Sequence, residues 1–262
     1  MKIALCQQEI IFENKIKNIE KICEFSEKAK KMGGDIVFFP EMSFTGFSMN
    51  IENTSEKDFK NIDIIKNIAF KNSVYIGFGW VKPSGGKAEN HYTVISPEGV
   101  IICDYIKIHP FSYAGEDKFF MGGNKVEFFN INGAEFSVFI CYDLRFPEIF
   151  QAVSYKSEII IVAANWPEKR KEHWKTLLKA RAIENQCYVA GVNCFGRQGD
   201  IYYSGDSCVY SPNGEIICSL KSGEDIIVFD FCNDTKKYRE EFPLKNDRRT
   251  DLYEKYYKGF FK

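Results

Sequence analysis

A layered α/β fold, with sheets inside, helices outside and two pseudo-symmetric halves, is predicted by three features of this 262-residue chain. Short apolar runs of strand length alternate with amphipathic helical stretches. The order of these runs in the first half returns in the second. One turn segment also recurs, as SPEGVIICDY at 96–105 and SPNGEIICSL at 211–220. Pro-x-Gly turns between strands are common, so a chance match of that single turn is the competing reading.

Taken in order, Lys2–Gln7 reads as a strand and residues 14–32 as a helix. Its buried stripe is expected to hold Ile16, Ile19, Ile22 or Cys23, Ala29 and Met32, and Gly33 and Gly34 end it. Residues 36–39 form a fully apolar strand of the kind covered on both faces. That strand delivers Pro40 and Glu41 at its carboxyl end, where ligands of open α/β sheets gather. A second helix is expected with Ser55 as its cap and Phe59, Ile62, Ile65 and Ile68 or Ala69 inward. A strand at 74–80 follows, and turns at 83–86 and 97–99 separate two more. In the second half the same reading gives a strand at 134–141, a helix near 146–155, a strand at 159–164, a helix near 171–185, a strand at 187–193 and then hairpins. The charged and aromatic stretch after Asp230 reads as an arm over a neighbouring surface, a second subunit among the options.

Composition narrows the function classes. One domain over 1–262, with a C-terminal arm of about 231–262, is the expectation from length. Hydrophobic residues at 45% and charged residues at 27% suit a soluble globular protein, and no apolar run is long enough to span a bilayer. A net charge of -1 lacks the basic excess that bulk nucleic-acid binding requires. The opening MKIALCQQEI lacks the apolar core of a signal peptide, which points to the cytoplasm. Nine cysteines, an odd number with no CxxC pair, read as buried reduced thiols. Three histidines without HExxH or clustered Cys/His spacing leave little for a structural zinc site. GDSCV at 205–209 misses the GxSxG elbow, and GFGW at 77–80 lacks the third glycine of a dinucleotide loop.

The stretch VFICYDLRFPE at 138–148 carries the chemistry. A buried strand runs into Cys141, and Pro147 suits the first turn of a helix, so the thiol stands at a strand-to-helix corner. Backbone N–H groups at such a corner favour thiolate and developing oxyanions. Glu41, directly after IVFFP, is a carboxylate in an apolar setting, which calls for a partner or a task; a salt bridge or cap is the plainer reading. Lys107 in YIKIHPF and Glu116 in YAGEDKFF taken alone are more often a surface lysine and a loop carboxylate. Arg145 could form a helix pair with Glu148.

FFPEMSFTGF, YIKIHPF and FICYDLRFPE, in that order, resemble the three signature segments of the nitrilase superfamily of carbon–nitrogen hydrolases, across essentially the whole chain. The resemblance implies a four-layer αββα sandwich with Glu41 as general base, Lys107 as stabilising cation, Cys141 as nucleophile and Glu116 as second active-site glutamate. It implies a backbone N–H of Tyr142 for the oxyanion, no cofactor, and a homodimer built on the helices after Cys141 and near 171–185. ANWPEKRKEHWKTLLKARAIENQCYVAGVN, YSGDS and YREEFP are similar to the bacterial omega-amidase branch. The substrate implied is a small dicarboxylate monoamide such as 2-oxoglutaramate or succinamate, cleaved through a Cys141 thioester. Arg145 then has two readings, partner of the distal carboxylate or structural pair. Asn165 and Trp166 are expected on the same rim, and Phe44, Phe111 and Tyr113 as candidates for the wall. The rivals are an N-carbamoyl-amino-acid amidohydrolase or nitrilase with the same residues, an inactive nitrilase-like interaction protein, and a Cys–His hydrolase using His109, for which no orienting acid is evident in the sequence.

Overall fold

A computed structural model of the chain describes residues 1–260. Its first half runs β1 (Lys2–Gln7), α1 (Lys15–Lys31), β2 (Ile36–Phe38), α2 (Ile51–Thr54), α3 (Lys60–Asn72), β3 (Tyr75–Ser84), β4 (Lys87–Ile95) and β5 (Ile101–Ile106). After α4 (Glu116–Phe119), β6 (Phe120–Met121) and β7 (Phe128–Ile131), the second half runs β8 (Ala134–Ile140), α5 (Pro147–Val153), β9 (Ile159–Ala164), α6 (Lys171–Asn185) and β10 (Tyr188–Asn193). A hairpin of β11 (Phe195–Gln198) and β12 (Ile201–Ser204) precedes β13 (Cys208–Tyr210) and β14 (Ile216–Ser219). β15 (Asp225–Asp230), α7 (Thr235–Glu241) and α8 (Thr250–Phe260) complete the described chain.

Two large sheets share one topology. The first is ordered β15-β1-β2-β3-β4-β5, with β6 beside β4, and the second, read from its other edge, is β7-β8-β9-β10-β13-β14. In both, three parallel strands are flanked by antiparallel neighbours. The recurring turn segment occupies matching places in the two. Ser96 N–H donates to Val100 O and Gly99 N–H to Ser96 O, as Ser211 N–H donates to Glu215 O and Gly214 N–H to Ser211 O. Each hairpin slips register at the matching place, between Val94 and Ile95 and between Val209 and Tyr210. The echo is therefore a repeat of structure and not a chance turn.

Strand alternation sorts the core. Ile3, Leu5, Ile36 and Phe38 pack with Phe136, Val138 and Ile140 between the sheets, whereas Ala4, Cys6, Val37 and Phe39 pack under Ile19, Ile22, Ile62 and Ile65 of α1 and α3. Each valine, leucine, isoleucine or phenylalanine among them contributes about 1.5–3 kcal/mol when removed from water. α6 covers the outer face of the second sheet so closely that a Cβ at Gly191 would meet Trp174 at 2.6 Å. Helix, sheet, sheet and helix thus form the four layers.

Two local expectations are corrected, the buried face of α1 and the start of α3. Ile16 is 74% exposed and Met32 also faces out, while Asn18 and Ser26 take the buried face of α1. Asn18 is tolerated there because its amide accepts from Ile11 N–H and donates to Ile11 O and Phe44 O, each at 2.8 Å. Ser55 ends α2 and does not start α3, which begins after Phe59 in a left-handed conformation at φ 58°. The C-terminal arm docks on its own chain. Arg239 donates to Gln186 O and Ser157 O, Lys245 to Ser154 O, and Arg248 to Glu184 O. These cations sit where α5 and α6 end, at carbonyls that favour positive charge. Burial and the neighbouring Arg239 and Arg248 push Lys245 down to about 7. Residues 261 and 262, the end of the expected arm, lie outside the described residues. No described helix is long and apolar enough to cross a membrane.

Candidate active site

The strand ends of both sheets meet at one place. Glu41 follows β2, Lys107 follows β5, Cys141 follows β8 and Asn165 follows β9; Glu116 opens α4. Backbone strain accompanies two of these deliveries, because Met42 and Cys141 hold φ of 45° and 46° without being glycine. Cys141 opens a short 3₁₀ turn, Cys141–Arg145, which precedes α5.

Asp143 fixes that turn. Its fully buried carboxylate accepts from Ile140 N–H at 3.0 Å, from the Tyr105 hydroxyl at 2.8 Å, and from His109 through both its backbone N–H at 3.0 Å and Nδ1 at 2.8 Å. The strand carrying Lys107 is thereby tied to the corner carrying Cys141. The His109–Asp143 pair was not evident from sequence, but the His109 ring stacks on Phe146 at 3.8 Å and does not line the cavity beside Cys141. Its position gives a Cys–His reading no support.

Lys107 Nζ lies 2.8 Å from Glu41 Oε1 and 2.8 and 3.1 Å from the two Glu116 oxygens. All three side chains are at most 1% exposed. Asn90 Nδ2 donates to Glu41 Oε1 at 2.9 Å and to Glu116 Oε1 at 3.2 Å. The other Glu41 oxygen accepts from Asn165 N–H at 2.9 Å, and Asn165 Nδ2 donates to the Glu41 carbonyl at 2.7 Å. Cys141 Sγ approaches Asn165 O at 3.8 Å. The carboxylates, the ammonium and the sulfur therefore belong to one network.

Burial alone would discharge Lys107, but Glu116 and then Glu41 outweigh it, so its proton is held more tightly than an ordinary lysine's. The Glu116 carboxyl is pushed up by burial, against the pull of Lys107. Burial and the charge of Glu41 drive the Cys141 thiol well above its ordinary value. The helix-side N–H groups do not outweigh desolvation and a neighbouring carboxylate.

Lys107, Cys141, Tyr142, Arg145, Asn165 and Trp166 line one cavity, with Glu41 and Glu116 fully buried behind Lys107. Tyr113 is 86% exposed and off this wall, because the turn that carries it points outward; Phe44 stacks on Phe78 in the core at 5.3 Å. Phe111 does line the cavity. Sequence reasoning missed Phe47, Arg170, Ile201 and Tyr203 on the wall and Asn90 behind it.

Arg145 sits over Trp166, with Cζ 4.8 Å from the ring centroid, and its Nη2 is 3.4 Å from His173 Nδ1. Glu148 instead accepts from the Tyr257 hydroxyl at 3.3 Å. Among the described residues no carboxylate forms an ion pair with Arg145 or Arg170. Burial and the nearby Arg170 both weaken the proton affinity of Arg145, as expected of two cations facing one cavity. Arg170 itself covers the Phe111 ring at 5.4 Å. No group of three or more metal-ligating side chains occurs among the described residues.

Comparison with known proteins bears on this geometry. The family model of carbon–nitrogen hydrolases matches residues 2–240. The 2-oxoglutaramate amidase of Bacillus subtilis (strain 168) is 33% identical over 256 residues, spanning 96% of this chain and 98% of that protein. The omega-amidase YafV of Yersinia enterocolitica is 31% identical over 250 residues, spanning 94% and 96%. The solved structure of XC1258 from Xanthomonas campestris, a protein of the same superfamily with an arsenic adduct in its active site, superimposes with a TM-score of 0.88. It is 26% identical and covers 95% of this chain and 97% of its own.

Proposed function

Because this chain belongs to the carbon–nitrogen hydrolase family and is a hydrolase of amides, we propose that it cleaves the terminal amide of a small dicarboxylate monoamide through a thioester on Cys141. The observation that carries the reading is the buried Glu41–Lys107–Glu116 network set against the cavity that holds Cys141. An amide is a poor electrophile with a poor leaving group, and a covalent route divides the barrier.

The resting thiol is neutral, so attack needs a base. Glu41 takes the thiol proton as sulfur bonds to the amide carbon. Once protonated, Glu41 is a weaker acceptor for Lys107, and the ammonium is released toward the oxyanion that forms. The backbone N–H of Tyr142 is the second donor. Glu41 returns its proton to the departing nitrogen, ammonia leaves and the thioester remains. A water then gives a proton to Glu41 while its oxygen bonds to the acyl carbon; collapse expels the thiol and yields the carboxylic acid. Glu116 and Asn90 keep Lys107 charged and in place. The step requires no metal.

At the substrate's other end, the guanidiniums of Arg145 and Arg170, whose charge neither Trp166 nor Phe111 neutralises, suit a carboxylate. The relatives named 2-oxoglutaramate amidase and omega-amidase support that choice. An ammonia-release panel of 2-oxoglutaramate, succinamate, glutamine, carbamoyl amino acids and simple nitriles tests it. The first two should lead in kcat/KM; a lead for carbamoyl compounds or nitriles would move the protein to another branch of the family. Arg145→Gln should raise KM for carboxylated amides by about 10- to 100-fold, the worth of a charged hydrogen bond. An equal rise for neutral amides would make Arg145 structural.

A further inference from the structure

We propose that Gln198 is a positioning residue for Glu41, and that through it the seating of the β11–β12 hairpin is coupled to removal of the Cys141 proton. The inference rests on the reading of Glu41 as base. The hairpin forms a two-stranded sheet of its own, apart from the two large ones. Its second strand contributes Ile201 and Tyr203 to the cavity wall. Its first strand ends in Gln198, which is only 5% exposed.

Every polar atom of that side chain is committed to the site. Nε2 donates to Asn165 Oδ1 at 2.8 Å and to Cys194 Sγ at 3.6 Å, while Oε1 accepts from Phe47 N–H at 3.0 Å. Asn165 in turn spends its Nδ2 on the Glu41 carbonyl and its backbone N–H on the Glu41 carboxylate. The direction of this chain of amides is fixed. With Nδ2 turned to Glu41, the Asn165 oxygen needs a donor, and Gln198 supplies it. From the other side the loop carrying Phe47 closes on the same amide, since a Cβ at Gly46 would lie 2.5 Å from Gln198 Oε1. Gly46, at φ 74°, is what lets the backbone come that close. One buried amide thus joins the cavity's hairpin wall, the loop beyond Glu41 and the residue that orients the Glu41 carboxylate.

The test uses the full chain and iodoacetamide, with alkylation of Cys141 followed by mass spectrometry as a function of pH. No amide substrate is involved, so an error in the substrate class leaves the result readable. Q198E keeps the size and the acceptor toward Phe47 but sets an anion against Asn165 Oδ1; Q198M removes all three hydrogen bonds. In each, the alkylation rate at pH 7 should fall by about 10-fold, part of the 10²–10⁴ a positioned base supplies. In Q198E the pH giving half-maximal rate should also rise by about one unit, because the added anion favours protonated neighbours. Turnover of the best amide in the panel should fall through kcat, with KM changed less than about threefold. An unchanged alkylation profile, with any loss confined to KM, would overturn the proposal and leave the hairpin a passive wall. Melting curves accompany both variants, and if Q198M does not fold the Q198E profile decides. E41Q is the control: if it alkylates like the parent protein the assignment of Glu41 fails, whereas a slow E41Q beside an unchanged Q198E removes only the coupling.

Discussion

Lys107 is a fully buried ammonium whose hydrogen-bond partners are carboxylates. Removing it leaves Glu41 and Glu116 sharing the amide of Asn90 with no cation between them. Two such carboxylates cannot both stay ionised, so Lys107→Met should bind an extra proton near neutrality and lose about 3–5 kcal/mol of stability. Urea unfolding measures the loss, and one under about 1 kcal/mol would mean the three groups do not act as a unit. Cys141→Ala, by contrast, deletes one sulfur at a site already strained at φ 46°. It should abolish ammonia release while the melting curve stays within a few degrees. The difference between these residues also explains what could be read in advance. Glu41 and Cys141 stand directly after apolar strands, where an ionisable group is conspicuous. Asn90 sits inside β4 as an ordinary polar residue of a half-polar strand, and only its partners Glu41, after β2, and Glu116, on α4, give it meaning. Asp143 was within reach, since an acid two residues after a strand-to-turn corner is a capping signal.

Elements whose buried face is set by their own period were legible to within a residue or so. The strand at 159–164 is fully apolar and the helix at 171–185 is bounded as the pattern predicts, and both match β9 and α6. The start of α3 was not, because Phe59 enters the helix from a left-handed conformation with no side-chain cap, leaving Ser55 as a false signal. Nor could a sequence show how tightly β3 presses on the segment after β2. A Cβ at Gly79 would fall 2.8 Å from the Glu41 carbonyl carbon and 2.9 Å from its Cα. Gly79→Ala should therefore push the proposed base out of line, at a cost of about 100-fold in kcat for a shift near 1 Å. Overpacking should remove roughly 1–3 kcal/mol of stability as well. Gly85 in the adjoining turn holds φ 54°, and a Cβ there would meet nothing within 4 Å. Gly85→Ala should cost about 1 kcal/mol in backbone strain and leave kcat alone. Equal kinetic effects from the two would mean that the approach of β3 does not set Glu41.

Across the whole molecule the nine cysteines are all free, and the expectation of buried reduced thiols holds for most of them. Burial raises Cys6, Cys141 and Cys194 well above the ordinary 9.0, raises Cys103, and takes Cys187 and Cys208 to about 12. A folded-state value above the unfolded one means that stability is fully present below the unfolded value. As pH climbs past that point, the unfolded chain sheds protons that the folded chain retains, and the balance moves toward unfolding. One unit above 9.0 each thiol shifts it by roughly 1 kcal/mol, or several kcal/mol for these six together. That is comparable with the roughly 5–15 kcal/mol that holds a typical protein folded. Burial also raises the phenols of Tyr92 and Tyr105, and the carboxylates raise Lys107; all three extend the loss in the same direction at still higher pH. Lys245, pushed down to about 7, works the other way, because above that pH the unfolded chain holds a proton that the folded chain has lost. Urea midpoints measured in reductant should therefore rise slightly from pH 7 to 8 and drop steeply between pH 9 and 10. Cys187→Ala and Cys208→Ala should each flatten that drop by one thiol's share, whatever they do to stability at pH 7. A midpoint that stays constant to pH 10 would mean the buried thiols gain no protection from the fold, and with it the neutral resting state of Cys141 would lose its footing.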